Sequence, residues 1–208
     1  MINEYIQKVK NAIDKATRDE TKLIEQVFQI SGMSSREGRI LLNELVSTGD
    51  KYLEIGVHKG STFVSALYGN DVAAVAIDNF SQFGSREENK TWFDRSCEQC
   101  NVKNYTFIDN DCFNLSDEQK ELVRGANVYF YDGDHRHEDQ EQALTYYVDL
   151  LTKPFILIVD DWNHGPARTG TRSGIELSKL TVHEEWILDG NTTQKGWHNG
   201  LYVAILSK

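Results

Sequence analysis

Residues Lys51 to Thr62 read KYLEIGVHKGST, an apolar run that contains Glu54 and passes into two glycines. Glycine lets a backbone turn tightly and approach a ligand closely, so Gly56 and Gly60 predict a tight turn that opens a helix near Ser61. The dinucleotide spacing G-x-G-x-x-G is absent, because these glycines are separated by three residues. The stretch therefore predicts a strand, a turn and a helix at the start of a ligand-binding sheet.

Short β-rich runs alternate with helical runs after residue 49, which predicts a doubly wound α/β sheet of seven strands, mostly parallel. The predicted strands are KYLEIG, AAVAID, YTFID, NVYFYD, FILIVD, EEWIL and LYVAIL. The last two runs are joined only by residues 189–200, which are rich in Gly and Asn. This connection predicts a hairpin, so the C-terminal strand should be antiparallel.

The first 49 residues carry helical periodicity instead, with Ile2, Ile6, Val9 and Ile13 on one face of a predicted helix at residues 2–17. Residues 34–37, Ser-Ser-Arg-Glu, resemble a capping box that opens a further helix. We expect a single domain over 1–208, with a helical cap at 1–49 on a core at 50–208. The cap is expected to be a packing layer on the sheet, a substrate lid or a dimer arm for a homo-oligomer.

Composition narrows the partners and the compartment. The 208 residues include 22 basic and 32 acidic side chains, and the formal net charge of −10 argues against nucleic acid as a partner. The longest apolar run, Val72 to Ile77, is far too short to span a membrane. Three cysteines and an N-terminus without a signal-peptide core predict a cytoplasmic protein.

The ends of the second and third strands predict a nucleoside site. Asp78 lies 24 residues after Glu54, a position suited to accepting hydrogen bonds from two ribose hydroxyls. Phe80 is expected to stack on a purine, and Asp111 to accept from an exocyclic amine. Glu54 at the mouth of the turn suits a ligand that carries positive charge.

At these residues the sequence resembles class I S-adenosylmethionine-dependent methyltransferases, whose first motif is E/D-x-G-x-x-x-G. The resemblance covers residues 50–208 and implies that the methionine part of the cofactor lies against the two glycines. It also implies that Glu54 faces the amino group and that Asp78 holds the ribose. The predicted cofactor-binding set is Glu54, Gly56, Gly60, Asp78, Phe80, Asp111 and Asp132.

Carboxylates accumulate where the fourth and fifth strands end, in YDGDH and VDDW. Because neighbouring strands lie about 4.8 Å apart, we expect these side chains to converge over a small area. Like charges that close cannot all ionise cheaply, and a hard divalent cation would resolve the conflict. Oxygen ligands suit Mg²⁺, and also Ca²⁺ or Mn²⁺.

The same acidic pattern resembles metal-dependent O-methyltransferases, both the catechol type and the sugar-modifying enzymes of antibiotic pathways. The resemblance implies that Asp132, Asp160 and Asp161 are metal ligands. It also offers Asp134 or His135 as the catalytic base. The chain departs from these relatives in lacking a PGG turn before the fifth strand, where it has KPFILIVDD.

The predicted reaction is divalent-metal-dependent O-methylation of a small molecule that carries a hydroxyl. The metal lowers the pKa of that hydroxyl, Asp134 or His135 removes the proton, and the methyl group transfers in line. We favour His135, because a carboxylate beside a dication is a poor base near neutrality.

Several alternatives stay open. Residues 162–174 are expected either to close over the acceptor or to be an ordinary surface connection. The activity could instead be metal-independent N- or C-methylation. It could also be metal-dependent hydrolysis without an adenosyl cofactor, or binding without catalysis.

Overall fold

The computed structural model describes residues 1–190 and 196–208, and within them the chain forms eight helices and seven strands. The helices are α1 (Ile2–Thr17), α2 (Glu25–Phe28), α3 (Arg36–Leu45), α4 (Ser61–Leu67), α5 (Arg86–Gln99), α6 (Asp117–Val123), α7 (His137–Tyr147) and α8 (Gly165–Leu177). The strands are β1 (Lys51–Ile55), β2 (Ala73–Ile77), β3 (Tyr105–Ile108), β4 (Ala126–Tyr131), β5 (Leu151–Val159), β6 (Thr181–Leu188) and β7 (Leu201–Ser207). None of these helices is long and apolar enough to cross a membrane.

The strands form one mixed sheet in the order β3-β2-β1-β4-β5-β7-β6. The first five strands are parallel to one another, and β7 pairs antiparallel with both β5 and β6. The predicted α/β sheet and its antiparallel C-terminal strand are therefore confirmed. The predicted connection at 189–200 lies partly outside the described residues.

Two apolar cores lie on opposite faces of the sheet, because successive strand residues point to opposite sides. Tyr52 and Ile156 belong to the core that includes α1, α3, α4 and α5. Their neighbours Leu53 and Leu157 belong to the core that includes α6, α7 and α8. Both faces of the central strands are thus covered, which explains why these strands read as nearly continuous apolar runs.

Two helix starts differ from the sequence prediction. The N-cap of α3 is Ser35, whose hydroxyl accepts from the backbone N–H of Gly38, and not Ser34. Helix α8 begins at Gly165, with Pro166 in its first turn. Much of residues 162–174 is therefore helix and not a mobile loop over the acceptor. Proline is favoured at the first positions of a helix, because the N–H that it lacks would have no partner there, so Pro166 indicates this helix start.

The order of the strands reverses between β1 and β4, where the connections leave in opposite directions along the sheet. In open parallel sheets this switch point opens a crevice at the carboxyl ends of the strands. Gly56 follows β1 there and Asp132 follows β4. The backbone N–H of Asp132 donates to the carbonyl of Ile55, so the two strand ends are held side by side.

Candidate functional site

A cavity of about 430 Å³ lies at this switch point. All of the predicted site residues except Glu54 and Gly60 line it: Gly56, Asp78, Phe80, Asp111, Asp132, Asp134, His135, Asp160 and Asp161. They come from the ends of β1 to β5 and from the loops that follow. The fold therefore brings together side chains that are more than a hundred residues apart in the chain.

The two glycines of the first turn have different roles. Gly56 has a φ of 84°, and a Cβ at this position would lie 2.0 Å from the carbonyl oxygen of Asp132. Only glycine allows this approach of β1 to β4. Gly60 also has a positive φ, but it is the N-cap of α4 and a Cβ there would face Phe93. Gly60 thus shapes the turn without lining the cavity.

Asp78 is fixed by the backbone on both sides. Its Oδ2 accepts from the N–H of His58 (2.8 Å), and its Oδ1 accepts from the N–H of Phe80 (2.7 Å). A carboxylate has about four lone-pair sites, so each oxygen can accept a further hydrogen bond from a ligand. Asp111 is held in a similar way, by the N–H of Phe113 at 2.8 Å.

Glu54, which is predicted to face the amino group of the cofactor, does not line the cavity. Its side chain is fully buried, and its carboxyl oxygens accept from the hydroxyls of Thr62 (2.6 Å) and Tyr52. Burial raises the pKa of Glu54 to about 8, with Asp78 and Asp160 adding to the effect. The carboxyl group of Glu54 is thus neutral near pH 7, and its hydrogen bond with Thr62 links β1 to α4.

Phe80 is also placed differently from its prediction. Only 2% of it is exposed, and its ring stacks on Phe107 at a centroid distance of 5.5 Å. The ring therefore belongs to the apolar core at the wall of the cavity. Phe83, three residues later, lines the cavity and is 63% exposed. Sequence spacing could not distinguish the two, because both follow Asp78 in the same loop.

The carboxylates at the ends of β4 and β5 converge as predicted. Burial and the neighbouring Asp160 and Asp161 raise the pKa of Asp132 well above its usual value. Burial and Asp161 raise the pKa of Asp160 to about 7. The carboxyl groups of Asp132 and Asp160 are hydrogen-bonded to each other, so this pair holds a proton near neutral pH.

Asp161 pairs with His135, whose Nε2 lies 3.0 Å from Oδ2 of the carboxylate. Although burial acts the other way, the hydrogen bonds from His135 and Asn199 lower the pKa of Asp161. Burial also opposes the change at His135, but the bond to Asp161 and the nearby carboxylates raise the pKa of its imidazole. Asp161 adopts a left-handed φ of 51°, which is uncommon outside glycine and typical of functional positions.

Both candidate bases are engaged within the protein. Nε2 of His135 is bound to Asp161, and its Nδ1 is buried without a hydrogen-bond partner. Asp134 forms an ion pair with Arg136 (3.2 Å) and accepts a long hydrogen bond from Gln82 at 3.5 Å. Nε2 of His135 must leave Asp161 before it can receive a proton from a substrate, whereas the carboxylate of Asp134 still has free lone pairs.

Asp132, Asp160 and Asp161 are the predicted ligands of a divalent cation. Three carboxylates interact at one rim, two of them share a proton, and oxygen ligands of this kind suit Mg²⁺. Across residues 1–190 and 196–208, however, no group of three or more His, Cys, Asp or Glu side chains is arranged to hold a metal ion. Carboxylate oxygens are the kind of ligand that such a cation takes, but the described side chains are not arranged around one, and Asp161 is engaged with His135.

Several residues that line the cavity are not among the predicted site residues. Met33 comes from the segment before α3, His58 from the first turn, and Phe113 from the loop after β3. His198 and Asn199 come from the end of the β6–β7 hairpin. None follows an apolar run in the way that the predicted acids do. Only the three-dimensional packing of loops brings them to the cavity.

The sequence and the fold of this protein resemble known proteins to different degrees. No protein-family model matches the sequence, and no curated protein matches it. Solved structures do match: an O-methyltransferase from Bacillus cereus in complex with S-adenosylhomocysteine superposes with a TM-score of 0.58 at 14% identity, covering 97% of this chain and 91% of that one. The chain has a methyltransferase fold.

Two further structures share this methyltransferase fold. A proposed S-adenosylmethionine-dependent methyltransferase from Streptococcus mutans has a TM-score of 0.62 at 13% identity and covers 86% of this chain, which spans about half (50%) of that protein. An rRNA methylase from Streptococcus thermophilus has a TM-score of 0.55 at 12% identity, covering 83% of this chain and 95% of that one. At such identities the likeness establishes the fold and leaves the substrate open.

Proposed function

We propose that this protein is an S-adenosylmethionine-dependent methyltransferase that methylates a hydroxyl of a small molecule with the help of a divalent cation. One observation carries the proposal. A single cavity joins Gly56 and Asp78, at the ends of β1 and β2, to a group of carboxylates and an imidazole at the ends of β4 and β5. A nucleoside-type cofactor and an ionisable acceptor could thus meet there.

Residues on the β1–β2 side would hold the cofactor. Asp78 would accept hydrogen bonds from the ribose hydroxyls while its bonds to His58 and Phe80 keep it in place. The methionine part would lie beside Gly56 and Asp132, which both line the cavity. Asp111, Cys112 and Phe113 line the same cavity from the loop after β3 and would border the adenine.

Asp132, Asp160 and Asp161 would hold the cation, in place of the proton that the first two share. A divalent cation bound there supplies Lewis-acid chemistry, because it lowers the pKa of a nearby hydroxyl and orients it. Displacing Asp161 from His135 would also free Nε2 of the imidazole, which now lies 3.0 Å from that carboxylate.

His135 is our proposed general base, with Asp134 as the alternative. The acceptor oxygen bonds to the methyl carbon as the carbon–sulfur bond breaks, the proton passes to the imidazole, and S-adenosylhomocysteine leaves. The sulfur of the cofactor is cationic until the methyl group leaves it, so the excess of carboxylates around the cavity does not oppose cofactor binding.

A small acceptor is proposed in preference to nucleic acid, although the structural neighbours include an rRNA methylase and a proposed RNA methyltransferase. Seven aspartates line the cavity, namely Asp78, Asp111, Asp132, Asp134, Asp139, Asp160 and Asp161. Together with the net charge of −10, they would repel a phosphate backbone. A cytoplasmic location and self-association through the N-terminal helices stay predictions.

A metal-independent methyltransferase is the second candidate, and one observation favours it. The pairing of His135 with Asp161 already orients the imidazole and raises its pKa, as an orienting carboxylate does for a general base. In that case the carboxyl groups of Asp132 and Asp160 would keep their shared proton during turnover.

Calorimetry with S-adenosylhomocysteine tests the cofactor assignment, because a hydrolase without an adenosyl cofactor should show no binding. Methyl transfer from labelled S-adenosylmethionine to a panel of small phenols, catechols and sugars then tests the reaction. Each assay is run with added Mg²⁺ and again after thorough chelation. Activity that survives chelation selects the metal-independent candidate, and absence of S-adenosylhomocysteine binding rejects both.

A further inference from the structure

The segment just before β7 reads GWHNG at residues 196–200, with Asn199 between a histidine and a glycine. Strand β7 pairs antiparallel with β5, and Tyr202 lies opposite Val159. The start of β7 therefore lies beside the end of β5, at the rim that carries Asp161. Asn199 lines the cavity there, yet neither cofactor binding nor proton removal uses it.

Hydrogen bonds fix this end of the hairpin on the loop that follows β5. The N–H of Trp162 donates to the carbonyl of Gly200 (3.0 Å), and the N–H of Asn163 donates to the carbonyl of Asn199 (2.9 Å). The side chain of Asn163 also donates to the carbonyl of Gly190, on the other arm of the hairpin. Gly200 approaches this loop so closely that a Cβ there would lie 2.7 Å from Oδ1 of Asn163. The backbone of Asn199 is thus held beside the carboxylates of the rim.

The side chain of Asn199 forms a hydrogen bond with the carboxylate of Asp161. An ionised carboxylate only accepts, so the amide of Asn199 is the donor. Nε2 of His135 lies 3.0 Å from Oδ2 of the same carboxylate. Because a carboxylate has about four lone-pair sites, it can bind both partners at once. The carboxylate of Asp161 is therefore held from two directions.

The backbone at residue 199 does not by itself explain the choice of asparagine. Asn199 has a φ of 52° and Asp161 has a φ of 51°, so both adopt the left-handed conformation. Glycine, asparagine and aspartate all tolerate this conformation. Glycine has no side chain to donate, however, and aspartate would place a second negative charge beside Asp161. Only the amide suits both the backbone and the neighbouring carboxylate.

Building on the proposed function, we infer that Asn199 is a positioning residue, whose amide holds the carboxylate of Asp161 in place for the reaction. Asn199 acts through Asp161, which orients His135 in the metal-independent candidate and is a ligand of the cation in the other. A displacement of about 1 Å in a reacting site can cost about 100-fold in rate. The β6–β7 hairpin thus takes part in the reaction through the position of one carboxylate.

Denaturant unfolding of Asn199→Gly, Asp161→Gly and the double variant tests the contact without any ligand or acceptor. Both substitutions keep a left-handed backbone and remove only a side chain. Asn199→Gly should lower the folding equilibrium constant about 10-fold when the carboxylate of Asp161 is present, and much less when it is absent. Equal losses in the two backgrounds overturn the inference, whichever acceptor the enzyme uses.

Methyl transfer from labelled S-adenosylmethionine, to the acceptor selected from the panel of phenols, catechols and sugars, tests the role in the reaction. Asn199→Gly should lower kcat by about 10- to 100-fold, because a group that orients a reacting residue contributes this much. The KM for S-adenosylmethionine should not change, since other residues hold the cofactor. Asn199→Asp should not restore kcat, because its carboxylate cannot donate. A residue that serves only the backbone would lose no turnover in either variant.

Asn101→Gly is the matched control, because Asn101 has a φ of 55°, is exposed and does not line the cavity. It should leave kcat unchanged. Wild-type turnover in Asn199→Gly, or full turnover in Asn199→Asp, overturns the positioning role alone. Failure of the wild-type protein to bind S-adenosylhomocysteine rejects the proposed function itself, whereas the unfolding measurements still decide whether the amide holds Asp161.

Discussion

On the β1–β2 side of the cavity, Gly56 and Asp78 are held by backbone groups, whereas on the β4–β5 side the carboxylates and His135 are held by one another. Asp78 accepts two backbone N–H groups, and Gly56 is fixed by its approach to the carbonyl of Asp132. Asp160 shares a proton with Asp132, and Asp161 pairs with His135. We call this first region the backbone-built half, because the backbone of the protein holds Gly56 and Asp78 in place without a ligand.

We call the second region, at the ends of β4 and β5, the carboxylate half, because its carboxylates and its imidazole are held by one another. Asp132 and Asp160 share a proton and Asp161 is hydrogen-bonded to His135, and a bound cation or substrate could replace either interaction. Electrostatically strained groups of this kind are concentrated at catalytic sites. We therefore propose that the backbone-built half binds the cofactor and that the carboxylate half carries out the methyl transfer.

The largest expected effect comes from removing the base in the carboxylate half. His135→Ala should lower turnover by about 10²- to 10⁴-fold, the usual contribution of general base catalysis. The rate of the wild-type enzyme should rise with pH as the imidazole loses its proton. Burial opposes the change, but Asp161 and the nearby carboxylates raise the pKa of His135, so this limb should lie above pH 6.5 if the enzyme is the metal-independent candidate, in which Asp161 keeps its bond to His135.

The pH–rate profile, measured with saturating cofactor and acceptor, compares His135→Ala with Asp134→Asn. Loss of the limb only in the histidine variant supports His135. Near-normal turnover in that variant, beside a collapse in Asp134→Asn, transfers the role to Asp134. In both variants S-adenosylhomocysteine should bind as in the wild type, since the backbone-built half is untouched.

Replacing a proposed cation ligand should be the next largest effect. Mutations of residues that merely support a ligand cost about 10- to 100-fold in metal affinity, so Asp160→Asn should weaken Mn²⁺ binding by at least about 100-fold. Calorimetric titration with Mn²⁺ measures this, and Asp139→Asn is the control, since Asp139 lines the cavity but is not a proposed ligand. Equal Mn²⁺ affinity in the two variants would contradict the assignment.

In the backbone-built half, Gly56→Ala should lower the free energy of unfolding by about 3 kcal/mol, through a left-handed φ and a forced contact. Gly125→Ala is a matched control: its φ of 85° is nearly the same, but nothing lies within 4 Å of the added Cβ. It should lose only about 1 to 2 kcal/mol. Denaturant unfolding of both variants checks the difference, and equal losses would show that the contact with Asp132 is unimportant.

The same contrast decides how much the sequence could reveal. The strands, the glycine turn and the acids that follow the strands carry local signals, because each depends on a short pattern of residue types. The orientation of Phe80 and Glu54 depends on packing against distant residues such as Phe107 and Thr62. Met33 and Asn199 reach the cavity through loops with no periodic pattern, so only the folded chain identifies them.

Asp78→Ala should weaken S-adenosylhomocysteine binding by about 10- to 150-fold, because hydrogen bonds to a charged group contribute roughly 1.5 to 3 kcal/mol. Asp109→Ala is the control, since Asp109 pairs with Arg86 outside the cavity. Calorimetry measures both affinities. An unchanged affinity in Asp78→Ala would mean that the ribose is held elsewhere, and the backbone-built half would then lose its proposed role.

The smallest expected effect concerns Glu54, whose pKa is raised first by burial and then by Asp78 and Asp160, one from each half. A carboxyl with a pKa near 8 when folded and 4.5 when unfolded stabilises the protein below pH 4.5 and loses that contribution as the pH rises through 8. Between pH 5 and 6 the wild type should therefore lose about 1 kcal/mol of unfolding free energy relative to Glu54→Gln. Glutamine stays neutral and can keep contacts with Tyr52 and Thr62, so the variant removes the titration without emptying the core. Glu176→Gln, at an exposed position on α8, should follow the wild type. Parallel unfolding curves for Glu54→Gln and the wild type across this pH range would show that Glu54 is ionised in the folded protein.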